Sequence, residues 1–148
     1  MHRGATVMTA LPDPATPFGD RVRRRLTDER LIWLTTVGKD GTPQPNPVWF
    51  VWEGADTLLV YNRPDANRLI HLRRSDRLAL HFDGDGNGGN VLVLTGVAQV
   101  VAAPPPHENP EYLAKYRDSM TRVSGSPEGF SLAYPVPLRA SVENIRGF

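Results

Sequence analysis

The chain contains no cysteine. Disulfides, thiolate metal sites and a cysteine nucleophile are excluded together. It also lacks an excess of charge, since 17 Lys and Arg against 16 Asp and Glu leave a formal +1. So weak a field nominates neither nucleic acid nor an anionic membrane as partner. Lysine is scarce, with only Lys39 and Lys115, and arginine supplies the rest of the positive charge. No apolar run reaches membrane-spanning length, and Met1 to Pro17 lacks the apolar stretch of a signal peptide. A soluble cytoplasmic protein is the expectation. The histidines at 2, 71, 81 and 107 show no paired ligand spacing and no Glu-x-x-His, so no metal site is expected. No serine occupies a Gly-x-Ser-x-Gly turn and no Gly-x-Gly-x-x-Gly follows a strand, which removes the common hydrolase and dinucleotide signatures.

What is present organises as one domain, the natural size for 148 residues. Residues 1–15 have little periodicity and two prolines, and read as a poorly ordered arm before a single domain over 16–148. Thr16-Pro17 offers an N-cap and a proline in the first turn, with Phe18, Val22 and Leu26 on one face, predicting a helix to about Glu29. Strands follow over 31–38, 41–54 and 57–62, then a helix from Pro64-Asp65 through Ser75 with Ala66, Leu69, Ile70 and Leu72 inward. Strands over 77–83 and 90–102 come next, the second with Gly96 as a bulge. Helices in "ENPEYLAKYRDSM" and "SPEGFSLAY" precede a last strand over 136–142. Six mostly adjacent strands with inserted helices predict a small antiparallel barrel of α+β type.

"DGDGNGGN" at 83–90 has calcium-like spacing but Leu94 at the twelfth position, where a bidentate Glu is needed, and reads as a Gly-rich hairpin loop. "RVRRRL" at 21–26 is flanked by Asp20, Asp28 and Glu29 and reads as a solvated helix face rather than a nucleic-acid patch.

Two stretches do carry candidate chemistry. In "GTPQPNPVWFVWEG" at 41–54, prolines at 43, 45 and 47 remove backbone donors from one strand edge only, leaving those of Gln44, Asn46 and Val48. Such a strand can be a shelf for a planar hydrogen-bonding ligand, or simply an edge guarded against aggregation. Beyond it, Val48, Phe50 and Trp52 face one side and Trp49 and Val51 the other, one to fill a barrel and one to meet a second subunit or cofactor. In "YNRPDANRLIHL" at 61–72 a strand ends and a helix begins, bringing Asn62, Arg63, Asn67 and Arg68 toward one point. Free N–H groups, the helix dipole and two guanidiniums there can hold a phosphate. No side chain is singled out as catalytic.

In order and spacing, "DGTPQPNPVWFVWEG", "YNRPDANRLIHLRRSDRLALHFD", "GVAQVV" and "VPLRASVENIRGF" resemble the pyridoxamine 5′-phosphate oxidase-like split-barrel family, and within it a short actinobacterial branch using coenzyme F420. The resemblance implies a six-stranded split β-barrel with short peripheral helices, mainly antiparallel, and a homodimer with cofactor sites at the subunit interface. It implies a hydride transfer between F420 and a small organic acceptor, with FMN as alternative cofactor and a non-catalytic flavin or haem carrier as alternative role. The cofactor-binding positions it implies are Gln44, Pro45, Asn46, Pro47 and Val48 along the ring edge and Tyr61, Asn62, Arg63, Asn67 and Arg68 around the phosphate. The oxidase's phosphate motif falls without gaps on Asn62 to Arg68 and keeps only the final basic residue, while its FMN-contacting Arg and Lys fall on Asn46 and Val51. With no tail segment after Phe148 to grip pyridoxal phosphate, oxidation of pyridoxamine phosphate is disfavoured.

Overall fold

A computed structural model describes residues 9–148. Residues 1–8, including His2 and much of the expected arm, lie outside the described residues. The rest of that arm is tied down: Thr9 Oγ1 and Ala10 N donate to the Asp56 carboxylate at 2.7 and 2.9 Å, and Ala10 and Leu11 pack on the main core.

Helix α1 (Pro17–Asp28) starts where the sequence places it, with Thr16 Oγ1 accepting from Gly19 N at 2.9 Å. This cap satisfies one of the orphan donors of the first turn. Strands β1 (Ile32–Val37), β2 (Pro43–Val48), β3 (Val51–Gly54) and β4 (Thr57–Asn62) follow, then α2 (Asn67–Arg74), β5 (Arg77–His81) and β6 (Leu92–Val100). Helices α3 (Pro110–Ser124) and α4 (Pro127–Ala133) lead to β7 (Val136–Gly147), which runs past the expected end at Val142. The strands form one antiparallel sheet in the order β2-β1-β5-β6-β7-β4-β3. Its two edge strands, β2 and β3, are joined only by Trp49 and Phe50, so the sheet must curl until its edges meet. The result is the α+β split barrel expected.

It has seven strands rather than six, because the stretch over 41–54 breaks at Trp49-Phe50. The Phe50 backbone is taken out of the sheet by α3: its N–H donates to Tyr116 Oη at 3.0 Å and its carbonyl accepts from Lys115 Nζ at 3.0 Å. Tyr116 Oη also reaches Arg30 O at 2.8 Å, and burial pushes its pKa up to about 12. A phenol kept neutral there serves as both donor and acceptor. The alternation around the break is as read: Val48, Phe50 and Trp52 join the barrel core, while Val51 and Trp49 join a second cluster with Tyr112, Tyr116, Met120 and Phe130. The chain's own α3 and α4 pack on that second face, where Trp49 stays partly exposed and lines a cleft.

Gly96 is the predicted bulge. Pairing of β6 with β7 shifts between Thr95 and Gly96, and a side chain at 96 would run into Ser141 O. Helix α2 begins at Asn67, later than the Pro64-Asp65 start expected. Within it Leu69 and Leu72 are buried and Ile70 is half exposed rather than inward, while Arg68, four residues before Leu72 and on its face, is half-buried rather than pointing to solvent. Among the described residues no helix is long and apolar enough to cross a membrane.

Candidate functional site

Two adjoining clefts, about 360 and 440 Å³, open where the end of β4, the start of α2 and strand β2 converge; Ala66 and Arg68 line both. Nine of the ten sequence-predicted residues line them: Pro47, Val48, Tyr61, Asn62 and Arg63 in the first, Gln44, Asn46 and Asn67 in the second, and Arg68 in both. Pro45 is the exception.

Arg68 is the electrostatic centre. Its Nε is buried without a hydrogen-bond partner, and among the described residues no carboxylate lies within ion-pairing distance of it. Desolvation, against a smaller opposing influence of Tyr134, lowers its pKa from the ordinary arginine value. A guanidinium stays protonated even so, and a half-buried cation without a counter-charge is stabilised by an anion that reaches it. Beside it the N-cap position of α2 is Ala66, which offers no side-chain acceptor; Leu69 N bonds Ala66 O at 3.1 Å, and no side chain caps the N–H groups of Asn67 and Arg68. Arg63, by contrast, is exposed, lies 3.8 Å from Asp65 and sits over the Tyr134 ring at 5.6 Å.

The prolines of β2 face the open edge. Gln44, Asn46 and Val48 register with Thr36, Leu34 and Ile32 of β1, and their N–H groups supply that ladder because Pro43, Pro45 and Pro47 have none. The free edge therefore presents carbonyl oxygens alone. Over Gln44 to Val48, where a ring shelf was expected, that edge is a row of carbonyl acceptors, its donors already spent on β1.

Asn62 also differs from the expectation that it joins a phosphate site. Its Nδ2 donates to Val60 O and Val136 O, each at 3.0 Å, so neither N–H is free for an anion. Tyr61 is likewise committed, its hydroxyl donating to Pro104 O at 2.5 Å and accepting from Asn109 Nδ2 at 3.1 Å.

The aromatic wall of the first cleft was only partly visible in the sequence. Trp49 stacks between Tyr116 and Phe130 at 5.0 and 5.3 Å, and Phe130 stacks on Tyr134 at 4.4 Å. Trp49, Tyr112, Phe130 and Tyr134 all line the cleft. The signal that could have found them is aromatics four apart on two successive helices, 112 with 116 and 130 with 134. Thr36 and His71 of the second cleft also went unread; Thr36 Oγ1 lies 2.8 Å from His71 Nδ1. Among the described residues no cluster of His, Asp and Glu could hold a metal ion. Asp85, in the loop with calcium-like spacing, turns its carboxylate onto Asn87 N and Gly89 N at 2.8 and 2.9 Å.

The family model of pyridoxamine 5′-phosphate oxidase matches residues 18–134, most of the chain, and the chain belongs to that family. Among solved structures it is similar in fold to an F420 reductase, at 21% identity and TM-score 0.61, covering 83% of this chain and 94% of that one. It is also similar to General Stress Protein 26 of Bacillus anthracis, at 16% identity and TM-score 0.63 over 85% and 89% of the two chains. The heme storage protein HutZ of Vibrio cholerae shares 14% identity at TM-score 0.60, over 86% and 92%. No curated protein matches the sequence.

Proposed function

We propose that the cleft binds a phosphate-bearing deazaflavin, coenzyme F420, for hydride transfer to a small organic acceptor. The observation that carries this reading is Arg68, a half-buried guanidinium whose buried Nε has no partner and which has no counter-charge, next to the start of α2, where no side chain caps the helix. The donor set suits a phosphate: a cation and free backbone N–H groups converge, with Asn67 alongside. When bound, the cofactor supplies the hydride chemistry. The chain's own residues orient and shield: Arg68 anchors the anion, Trp49, Phe130 and Tyr134 form a flat apolar wall, and the acceptor edge of β2 meets ring donors. Dry, preorganised surroundings of this kind are what a protein contributes to such chemistry.

The fold likeness to an F420 reductase supports F420. Asn46 and Val51, where the oxidase has cationic FMN contacts, make FMN the alternative. A homodimer with the clefts at the subunit interface belongs to the same reading; Leu31 and Val123, half exposed on the rim of the first cleft, are apolar surface that a partner would cover. Sedimentation of the purified protein tests it, and a monomer at micromolar concentration would contradict it.

A carrier role is the second reading. His71 in the second cleft is a potential haem ligand, and the likeness to a heme storage protein favours asking the question. Fluorescence titration with F420 and FMN, followed by an acceptor screen with the reduced cofactor, separates the readings. Tight binding with acceptor reduction supports the reductase, binding without reduction supports the carrier, and no binding of either cofactor contradicts the proposal.

A further inference from the structure

The first cleft contains a side-chain acceptor that the protein itself leaves unused. Both N–H groups of Asn62 are committed to carbonyl oxygens, those of Val60 and Val136. Because both partners only accept, the amide cannot be flipped, and the assignment of its nitrogen follows from chemistry. Its Oδ1 is buried with no donor among the described residues, in a residue only 1% exposed that lines the cleft. Leaving such an acceptor unpaired is costly, and a ligand donor recovers the loss. Neither Arg63 nor Arg68, which line the same cleft, donates to it. Tyr61 spends its hydroxyl on Pro104 O, and the free edge of β2 along Pro47 is carbonyl only. The cleft thus holds both an unpaired donor, on Arg68, and an unpaired acceptor, on Asn62.

We infer that Asn62 Oδ1 is a specificity-determining acceptor that reads the ring N–H of a planar heterocycle of the lactam or imide type. This rests on the cofactor reading above and reassigns Asn62 from the phosphate end of the ligand to its ring. An amide whose N–H groups are spent cannot ligate an anion, and its oxygen repels one. A ring N–H satisfies the acceptor, whereas an N-alkylated ring leaves it buried and unpaired.

The test titrates the protein with FMN and F420 and with the 3-methyl derivative of each, whose imide N–H is replaced by N–CH₃. Methylation should weaken binding roughly tenfold or more, the effect of leaving one buried acceptor unpaired. In Asn62→Ala the penalty for methylation should shrink to about twofold. Should that variant not fold, the ring N–H of bound ¹⁵N-labelled cofactor in the unmodified protein decides. A slowly exchanging resonance with a nuclear Overhauser contact to the Asn62 side-chain amide supports the assignment, and a freely exchanging one overturns it. Equal binding of the parent and methylated ligands overturns the role of Asn62 while leaving the cofactor reading standing. Failure of every ligand to bind overturns both.

Discussion

Arg25 on α1 and Arg68 on α2 are both drawn into the protein, and they differ in what surrounds them. Arg25, 8% exposed, is saturated: its Nε pairs with Glu29 at 2.9 Å, its other nitrogens donate to Asn90 O and Asp83 O at 2.9 and 2.6 Å, and its guanidinium lies over the Phe82 ring at 4.9 Å. Arg68 has a buried Nε without partner and no carboxylate. The first cation holds the loop between β5 and β6 to α1; the second is left for something outside the chain. Arg21, whose Nε is also unpartnered, stacks on Phe18 and lines neither site cleft, so it is the pairing of an orphan donor with a cavity that marks Arg68.

The comparison breaks most readily at Arg25. Arg25→Ala strands two carbonyls and a carboxylate and should lower unfolding free energy by about 3 kcal/mol or more, read by chemical denaturation. Arg68→Ala is the reverse case. It should leave stability unchanged or slightly raised, because a half-buried cation without a counter-charge is removed, while cofactor affinity falls by about 1.5–3 kcal/mol in a binding titration. If the two variants behaved alike in denaturation, the distinction between the arginines would be wrong.

A smaller effect is expected at the bend that aims β2. Tyr116→Phe removes the partner of Phe50 N and should cost about 1–2 kcal/mol of stability, with further loosening of cofactor binding through Trp49. Unchanged denaturation would show that another group satisfies that N–H.

Lys115, in the same joint, gives a signal confined to alkaline pH. Desolvation, followed by the nearby Arg30, lowers its pKa from the ordinary 10.5 to about 8, while Asp28 and Glu29 oppose. Between those values the unfolded chain binds more protons than the folded one, so stability rises with pH from about 8 to 10.5 and is lost as pH falls through that window. Lys115→Met should flatten this rise in a series of melts across that range. A slope unaffected by the substitution would place the titration elsewhere.

Much of the barrel was legible because its signals are local. Thr16-Pro17 caps α1 within one turn, Gly96 marks a bulge that a side chain would obstruct, and the two-sided alternation from Val48 to Trp52 appears as two packed clusters. The break at Trp49-Phe50 was not legible, because the groups that stabilise it, Lys115 and Tyr116, come from α3, far along the chain. Likewise the site residues could be grouped from sequence but their roles could not. Whether Arg68 is paired, and which end of the Asn62 amide is free, depends on partners such as Val136, brought in by β7. Arg68 shares the face of the buried Leu72, four residues on, and is half-buried where the sequence had aimed it at solvent.

The most direct test of the account is an equilibrium titration of the wild-type protein and Arg68→Ala with F420 and FMN, each paired with a denaturation curve. The account predicts a stable, folded variant that has lost roughly tenfold or more of its affinity for the preferred cofactor. A folded variant that binds that cofactor as tightly as the wild type would contradict it.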